Sequence, residues 1–300
     1  MTASLPILLA KAIRLHQWPK NLLVFLPALA SQRFGDVQLF IASFKGFLAF
    51  CLTASAVYLV NDLADVEHDR QHKVKRFRPF AAANLSPAWG YILAPLFIAA
   101  AIFIALNLPW GFLVTLFCYV ALALAYSAGL KRVLILDVIV IATFYSLRVI
   151  AGYEATGLEY SIWLLSFTQF LFVSFAFLKR DIELASLKFK RSDAPGRGYL
   201  AQDRIVIAGF GIASGLISIL VLNLYIDSKI VAELYRAPWV LWLACPILGY
   251  GLGRLWILAN RGLIDDDPVK FVLRDPVSYV LGLCLALVGL AARFGFPFPG

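Results

Sequence analysis

Apolar runs of roughly twenty residues recur along the whole chain, and a run of that length is what an α-helix needs to cross a bilayer core of about 30 Å. They lie near Asn21 to Ser31, Leu39 to Val60, Trp89 to Asn107, Gly111 to Tyr126, Val133 to Gly152, Ser161 to Leu178, Ile205 to Tyr225, Trp239 to Leu258 and Val277 to Ala291. Together they predict about nine spans, the first of them short. Backbone groups in lipid must be satisfied within the structure, which leaves helices or a closed barrel. Runs so uniformly apolar exclude the alternating pattern of barrel strands. With 61% of its 300 residues hydrophobic, the chain is expected to be an all-α membrane protein, a bundle of about nine transmembrane helices in a single domain, 1–300.

Lys and Arg set the expected orientation, because cytoplasmic loops carry the excess of both. The amino-terminal segment has Lys11, Arg14 and Lys20; the loop after the second run has Arg70, Lys73, Lys75, Arg76 and Arg78. Lys131 and Arg132 follow the fourth run, and Lys179, Arg180, Lys188, Lys190, Arg191, Arg197 and Arg204 follow the sixth. Alternate connections hold few bases, for example Arg33, Lys229 and Arg236. An inner-membrane protein with its amino terminus inside and its carboxyl terminus outside satisfies this pattern. Lys11, Arg14 and Lys20 interrupt any signal-peptide core, so residues 1–20 read as an interfacial amphipathic segment with Trp18 at headgroup level. Cys51, Cys118, Cys245 and Cys284 sit singly inside apolar runs, without metal or disulfide spacing. The net charge of +9 suits cytoplasmic loops against anionic membrane lipids, and no nucleic-acid partner is indicated.

Asn61, Asp62, Asp65 and Asp69 form an N-D-x-x-D-x-x-x-D series flush with the end of the second run. If helix continues past Val60, Asn61, Asp65 and Asp69 share one face with Asp62 beside them. Such oxygen ligands suit Mg²⁺, which takes one or two carboxylates and completes its shell with water and substrate phosphates. The plain alternative is a solvated loop whose acids pair with Arg70, Lys73 and Lys75. The order, acids first and bases as a block after them, favours a metal site beside a phosphate site, with the loops 61–87 and 179–204 as its cytoplasmic frame.

This series resembles the Asp-rich motif of the UbiA superfamily of intramembrane prenyltransferases. The stretches "HQWPKNLLVFLP" (16–27), "HKVKRFRP" (72–79), "YSAGLKR" (126–132), "LDVIVIATFYSLRVIAG" (136–152) and "FAFLKRDIEL" (175–184) are similar to the branch of decaprenyl-phosphate phosphoribosyltransferases. The resemblance implies a UbiA-like fold, Mg²⁺ as cofactor, phosphoribosyl diphosphate as donor and a polyprenyl phosphate as acceptor. It also implies that Asp62, Asp65 and Asp69 are catalytic and, with Asn61, hold the metal, while Arg70, Lys75, Arg76 and Arg78 bind phosphate. Tyr126 and Lys131 match a phosphate-binding element, although an interfacial aromatic beside a snorkelling lysine would look the same. Lys20, next to Asn21, is expected to reach a substrate phosphate.

After the sixth run the chain departs from the aromatic prenyltransferases, which carry a second Asp-rich cluster there. Here the position reads Lys179-Arg180-Asp181-Ile182-Glu183, in which Asp181 and Glu183 are candidate metal ligands and Lys179 and Arg180 candidate phosphate ligands. Asp137 and Arg148, about three helical turns apart in the fifth run, are intramembrane charges of the kind that usually face a bundle interior. Arg148 belongs to the phosphate set, and Asp137 is equally suited to a partner on a neighbouring helix. His16, His68 and His72 have no partner spacing and read as surface residues.

One competing function keeps the fold but transfers a prenyl group from a polyprenyl diphosphate to an aromatic or lipid acceptor. Another, a transporter or scaffold, would place its charges in broken helices near the midplane, whereas most of these lie at one interface. Some relatives carry a soluble hydrolase-type domain ahead of the bundle. A separate soluble phosphatase, or a second copy of the chain, is therefore the protein partner to expect.

Overall fold

The computed structural model describes residues 4–33, 35–71, 75–185, 198–264 and 267–295. His72, Lys73, Lys188, Lys190, Arg191 and Arg197 of the basic loops lie outside them. Every regular element among the described residues is helical. The chain groups into two compact units, Met1–Gly129 with Leu147–Tyr160, and Leu130–Ser146 with Ser161–Gly300.

The first unit holds α1 (Leu5–Ala12), a 3-10 helix (Leu15–Phe25), α2 (Leu26–Ala30), α3 (Val37–Ala64), α4 (Val66–Gln71), α5 (Pro87–Ala105), α6 (Trp110–Ala128) and the later part of α7 (Leu136–Thr156). Asp36 caps α3, its carboxylate accepting from the Leu39 N–H at 3.0 Å. Small residues then let neighbours approach α3 closely. A Cβ on Gly46 would lie 3.1 Å from Ala155, 3.2 Å from Phe112 and 3.3 Å from Val24. The remaining helices α8 (Ile162–Ala185), α9 (Arg204–Ile226), α10 (Lys229–Leu234), α11 (Ala244–Asn260), α12 (Pro268–Val272) and α13 (Pro276–Phe294) form the second unit with the start of α7. Its core gathers Val138, Phe177, Leu178, Ile207 and Trp256.

Eight helices among the described residues are long and apolar enough to cross a membrane, so the expected count of about nine is close. The short first run differs from the others. Pro19 removes a donor inside it, and the segment winds as a 3-10 helix that gives way to only five residues of α-helix. It still runs the length of α3, because Arg14 pairs with Asp62 near the end of α3 and Arg33 pairs with Asp36 at its start. The amphipathic segment expected over residues 1–20 is likewise split. α1 stops at Ala12, and Arg14 takes a left-handed conformation (φ 53°) that turns the chain into the 3-10 helix.

Candidate active site

Helix α3 continues past Val60 to Ala64 and breaks at Asp65 (φ −94°, ψ 5°), after which α4 resumes. The expected shared face was Asn61, Asp65 and Asp69, with Asp62 beside them. Asp62 and Asp69 are the buried pair, seven residues apart and so two turns along one face, whereas Asn61 and Asp65 are half-buried. The Asp69 N–H bonds the Asp65 carbonyl at 2.8 Å across the break, which keeps the two segments in helical phase.

Two arginines interleave with these acids. Arg78 Nη1 lies 3.0 Å from Asp62 Oδ1 and 2.6 Å from Asp69 Oδ2, and Arg14 Nη2 lies 2.6 Å from Asp62 Oδ1. Arg14 is fixed from behind, its guanidinium 4.4 Å from the centre of the Tyr58 ring. Tyr58 donates to Gln17 at 3.0 Å, Trp18 donates to Ser55 at 3.1 Å, and Ser55 donates to the Ile13 carbonyl at 2.9 Å. These bonds staple the amino-terminal turn onto α3. A non-glycine residue at positive φ stores strain of about 1–3 kcal/mol and persists only where its surroundings over-determine it; here they do. In the sequence Arg14 is one base of the terminal segment among others, since a contact spanning 48 positions leaves no local signal.

Other predicted residues of this unit spread around that centre. Asn61 accepts from Ser127 at 3.2 Å, Arg70 donates to the Ala81 carbonyl at 3.4 Å, Lys75 and Arg76 are exposed, and Tyr126 is half-buried in the last turn of α6. Deeper in the unit, the buried Arg148 donates to Asn21 at 2.7 Å, hydrogen-bonds Tyr119, and stacks 5.2 Å from the centre of the Phe50 ring. Asn21 in turn donates to Cys51 at 3.1 Å, and Lys20 lies close enough to Tyr119 for its charge to act there.

In the second unit Lys131 sits in a 3-10 turn and Lys179 is half-buried in α8. Arg180, expected at phosphate, is instead 1% exposed, with Nε 2.7 Å from Asp137 Oδ2 and a further pair to Glu183. Asp137 thus has the neighbouring-helix partner that its type suggested. Tyr199 donates to Asp137 at 2.5 Å and accepts from the Ile135 N–H at 2.9 Å. Burial, followed by the Asp137 carboxylate beside it, pushes the Tyr199 phenol above its usual value. Asp181 is gripped by both ends of the Arg204 fork, at 2.9 and 3.3 Å, and Arg204 also reaches Asn260. Each acid of the second motif therefore has an arginine partner within its own unit.

Among the described residues no three His, Cys, Asp or Glu side chains converge as a metal cage. The residues do fit a sparser site. Asp62 and Asp69 bracket a single cationic nitrogen, and a hard divalent ion needs only one or two protein carboxylates when phosphates and water supply the rest.

The sequence matches the UbiA prenyltransferase family over residues 22–274, which runs through both units. It is 40% identical over 276 residues to the uncharacterized protein y4nM of Sinorhizobium fredii, covering 91% of this chain and 54% of that protein, so the chain spans about half the length of this relative. It is 34% identical to the nodulation protein NoeC of Azorhizobium caulinodans, covering 93% of this chain and 92% of the relative. Identity to a decaprenyl-phosphate phosphoribosyltransferase of Mycobacterium tuberculosis is 32%, over 95% of this chain and 94% of the relative. The fold is similar to the structure of a UbiA homolog from Archaeoglobus fulgidus bound to GPP and Mg²⁺, with a TM-score of 0.66 at 18% identity, covering 95% of this chain and 99% of that one. With its apolar helices and this match across most of its length, the chain belongs to the UbiA prenyltransferase family of multi-pass membrane transferases.

Proposed function

We propose that the chain moves a phosphoribosyl group from phosphoribosyl diphosphate to a polyprenyl phosphate, with Mg²⁺ as cofactor, at the cytoplasmic face of the cell membrane. The observation that carries this reading is the interleaving of Asp62 and Asp69 with Arg14 and Arg78. A donor bearing a diphosphate and a 5-phosphate, meeting an acceptor that is itself a phosphate, needs several cations beside its metal site. Arginine forks bind such oxygens in pairs, adding position to charge. The relatives named as decaprenyl-phosphate phosphoribosyltransferases support the same substrates. The excess of bases at the acid end of the first unit supports the cytoplasmic placement.

In the reaction, an acceptor phosphate oxygen attacks C1 of the ribose, the C1–O bond to diphosphate breaks, and diphosphate leaves with the bonding pair. Asp62 and Asp69 would hold the cation, which when bound would neutralise charge on the leaving group. Arg78 and Arg14, which pair with these carboxylates in the metal-free protein, would be the nearest guanidinium groups to bind phosphate oxygens, while Lys20, Arg70, Lys75 and Arg76 would add positive charge nearby. Asn61 and Asp65, half-buried beside Asp62 and Asp69, would be the cation's further oxygen ligands. Asn21 and Arg148 form a buried polar floor.

A prenyl diphosphate donor is the second reading, favoured by the similarity of fold to homologs bound to GPP and DMAPP. One experiment separates the two. Purified protein is incubated with Mg²⁺, radiolabelled phosphoribosyl diphosphate and a polyprenyl phosphate, alongside Asp69→Asn. Mg²⁺-dependent label in the organic extract, lost in the variant, is the expected result. No lipid label, together with prenyl transfer from a prenyl diphosphate to an aromatic acceptor, would overturn it.

A further inference from the structure

A cavity of about 440 Å³ opens on the first unit at the start of α3, within the ~300–1,000 Å³ typical of small-molecule sites. It exists because the preceding segment is too thin to fill the space. The 3-10 helix narrows the wall, α2 ends at Ala30, and the chain reverses through Gln32, which has a left-handed φ of 56°. Leu22, Phe25, Leu29, Leu39 and Phe40 line the slot. The Phe25 ring forms its back, tilted against Phe40 and Phe47 at centroid distances of 5.9 and 5.8 Å. Leu22, Leu29 and Phe40 are each more than half exposed, so the slot faces hydrocarbon in a membrane-spanning chain.

Arg33 and Asp36 also line the cavity, their charged atoms 2.6 Å apart. Asp36 is held ionised, its carboxyl kept below the usual range by the Leu39 N–H and then by Arg33. The slot is remote from the acid cluster: Asp36 and Asp62 are 26 residues apart on one helix, which is about 39 Å at 1.5 Å per residue. It therefore lies at the other membrane face.

We infer that this slot binds one zwitterionic glycerophospholipid of the opposite leaflet, its acyl chain against Phe25 and Leu29 and its headgroup on the ion pair. The charges are complementary in sign and spacing. Arg33 uses one of its five donors on Asp36 and presents the rest to a phosphate. Asp36 accepts from the Leu39 and Gln38 N–H groups and from Arg33, which leaves about one of the roughly four acceptor sites of a carboxylate for an ammonium group. An ethanolamine head satisfies both; a glycerol head offers no cation to Asp36, and a choline head offers no N–H.

Native mass spectrometry of the detergent-solubilised full chain, titrated separately with dioleoyl-phosphatidylethanolamine, dioleoyl-phosphatidylglycerol and a polyprenyl phosphate, tests the assignment. The expected result is one retained phosphatidylethanolamine, at about tenfold lower concentration than phosphatidylglycerol. Arg33→Gln, at an exposed position, should abolish that preference, and Leu29→Trp, which fills the slot, should abolish retention itself. Both variants should keep wild-type helicity by circular dichroism and lipid-free melting temperature. Equal retention of the two phospholipids, or unchanged retention in both variants, would overturn the inference. So would one-for-one displacement by the polyprenyl phosphate, which would make the slot a seat for an isoprenoid tail. Because no step uses the catalytic residues, the transfer assay can fail while this binding stands, and the reverse.

Discussion

Replacing Arg78 by alanine should destabilise the metal-free protein, and Mg²⁺ should repair the damage. Arg78 bridges two buried carboxylates, at 3.0 Å to Asp62 and 2.6 Å to Asp69. Arg14 still compensates Asp62 in the variant, so the loss concentrates on Asp69. Breaking a fully buried pair costs about 3–5 kcal/mol. Arg78 is 27% exposed, and solvent screening lowers the expected loss to roughly 2–3 kcal/mol. A cation at 100 times its dissociation constant returns about 2.7 kcal/mol through binding to the folded state alone. Thermal melts of wild type and Arg78→Ala, in EDTA and in excess Mg²⁺, should show a clear deficit that closes when the metal is added. The variant should also bind Mg²⁺ more tightly than wild type by calorimetry, because the guanidinium no longer competes. A deficit of equal size with and without Mg²⁺ would refute the idea that Asp62 and Asp69 form a cation site. So would unchanged stability in EDTA.

Tyr199→Phe removes the hydroxyl joining Asp137 to the Ile135 N–H, and leaving buried polar groups short of a partner costs about 1–3 kcal/mol; its melt should fall, and a double variant with Asp137→Asn should lose less than the sum. Gly152→Ala would set a Cβ 2.2 Å from the Val24 carbonyl oxygen, a backbone atom with little room to yield, so a loss of at least about 1–3 kcal/mol is expected and wild-type stability would contradict the packing. Asp275 caps α13 and is held below its ordinary value of 3.8 mainly by the Arg254 guanidinium, then by Ser278. A lowered folded value makes its contribution complete above pH 3.8 and lost as pH falls through the lowered value. Asp275→Asn should therefore melt lower than wild type at neutral pH, and the two should converge in acid; parallel curves would count against the pairing.

The spans were legible because length and uniform apolarity report directly on what a bilayer accepts, while the continuation of α3 past Val60 was a condition placed on the acid spacing, which the helix meets by running to Ala64. Which acids turn inward was not legible. That depends on which face of α3 and α4 the fold turns toward Arg14 and Arg78, 48 and 16 positions from Asp62 in the sequence. Arg14 and Arg204 escaped notice for a different reason, since each meets its carboxylate across long stretches of sequence, 48 and 23 positions. Arg180 shows what local sequence omits, since nothing around the motif announces Asp137 and Glu183 as its carboxylate partners until the fold brings them together.

Pitch turns the thin first crossing into a ruler. The eleven residues of Leu15–Phe25 advance about 22 Å at 2.0 Å each, and the five of α2 add about 7.5 Å at 1.5 Å each. Sixteen residues thus cover the ~30 Å of a hydrocarbon core for which an α-helix needs about twenty. Wound entirely as α-helix, the same residues would fall roughly 5–6 Å short, enough to draw Arg14 away from Asp62 or to pull the turn at Gln32 into the lipid. The stretched winding therefore sets how far the terminal arginine reaches. Inserting or deleting one residue between Leu15 and Phe25 would shift that reach by about 2 Å, most of a hydrogen-bond length, without altering a single charged group.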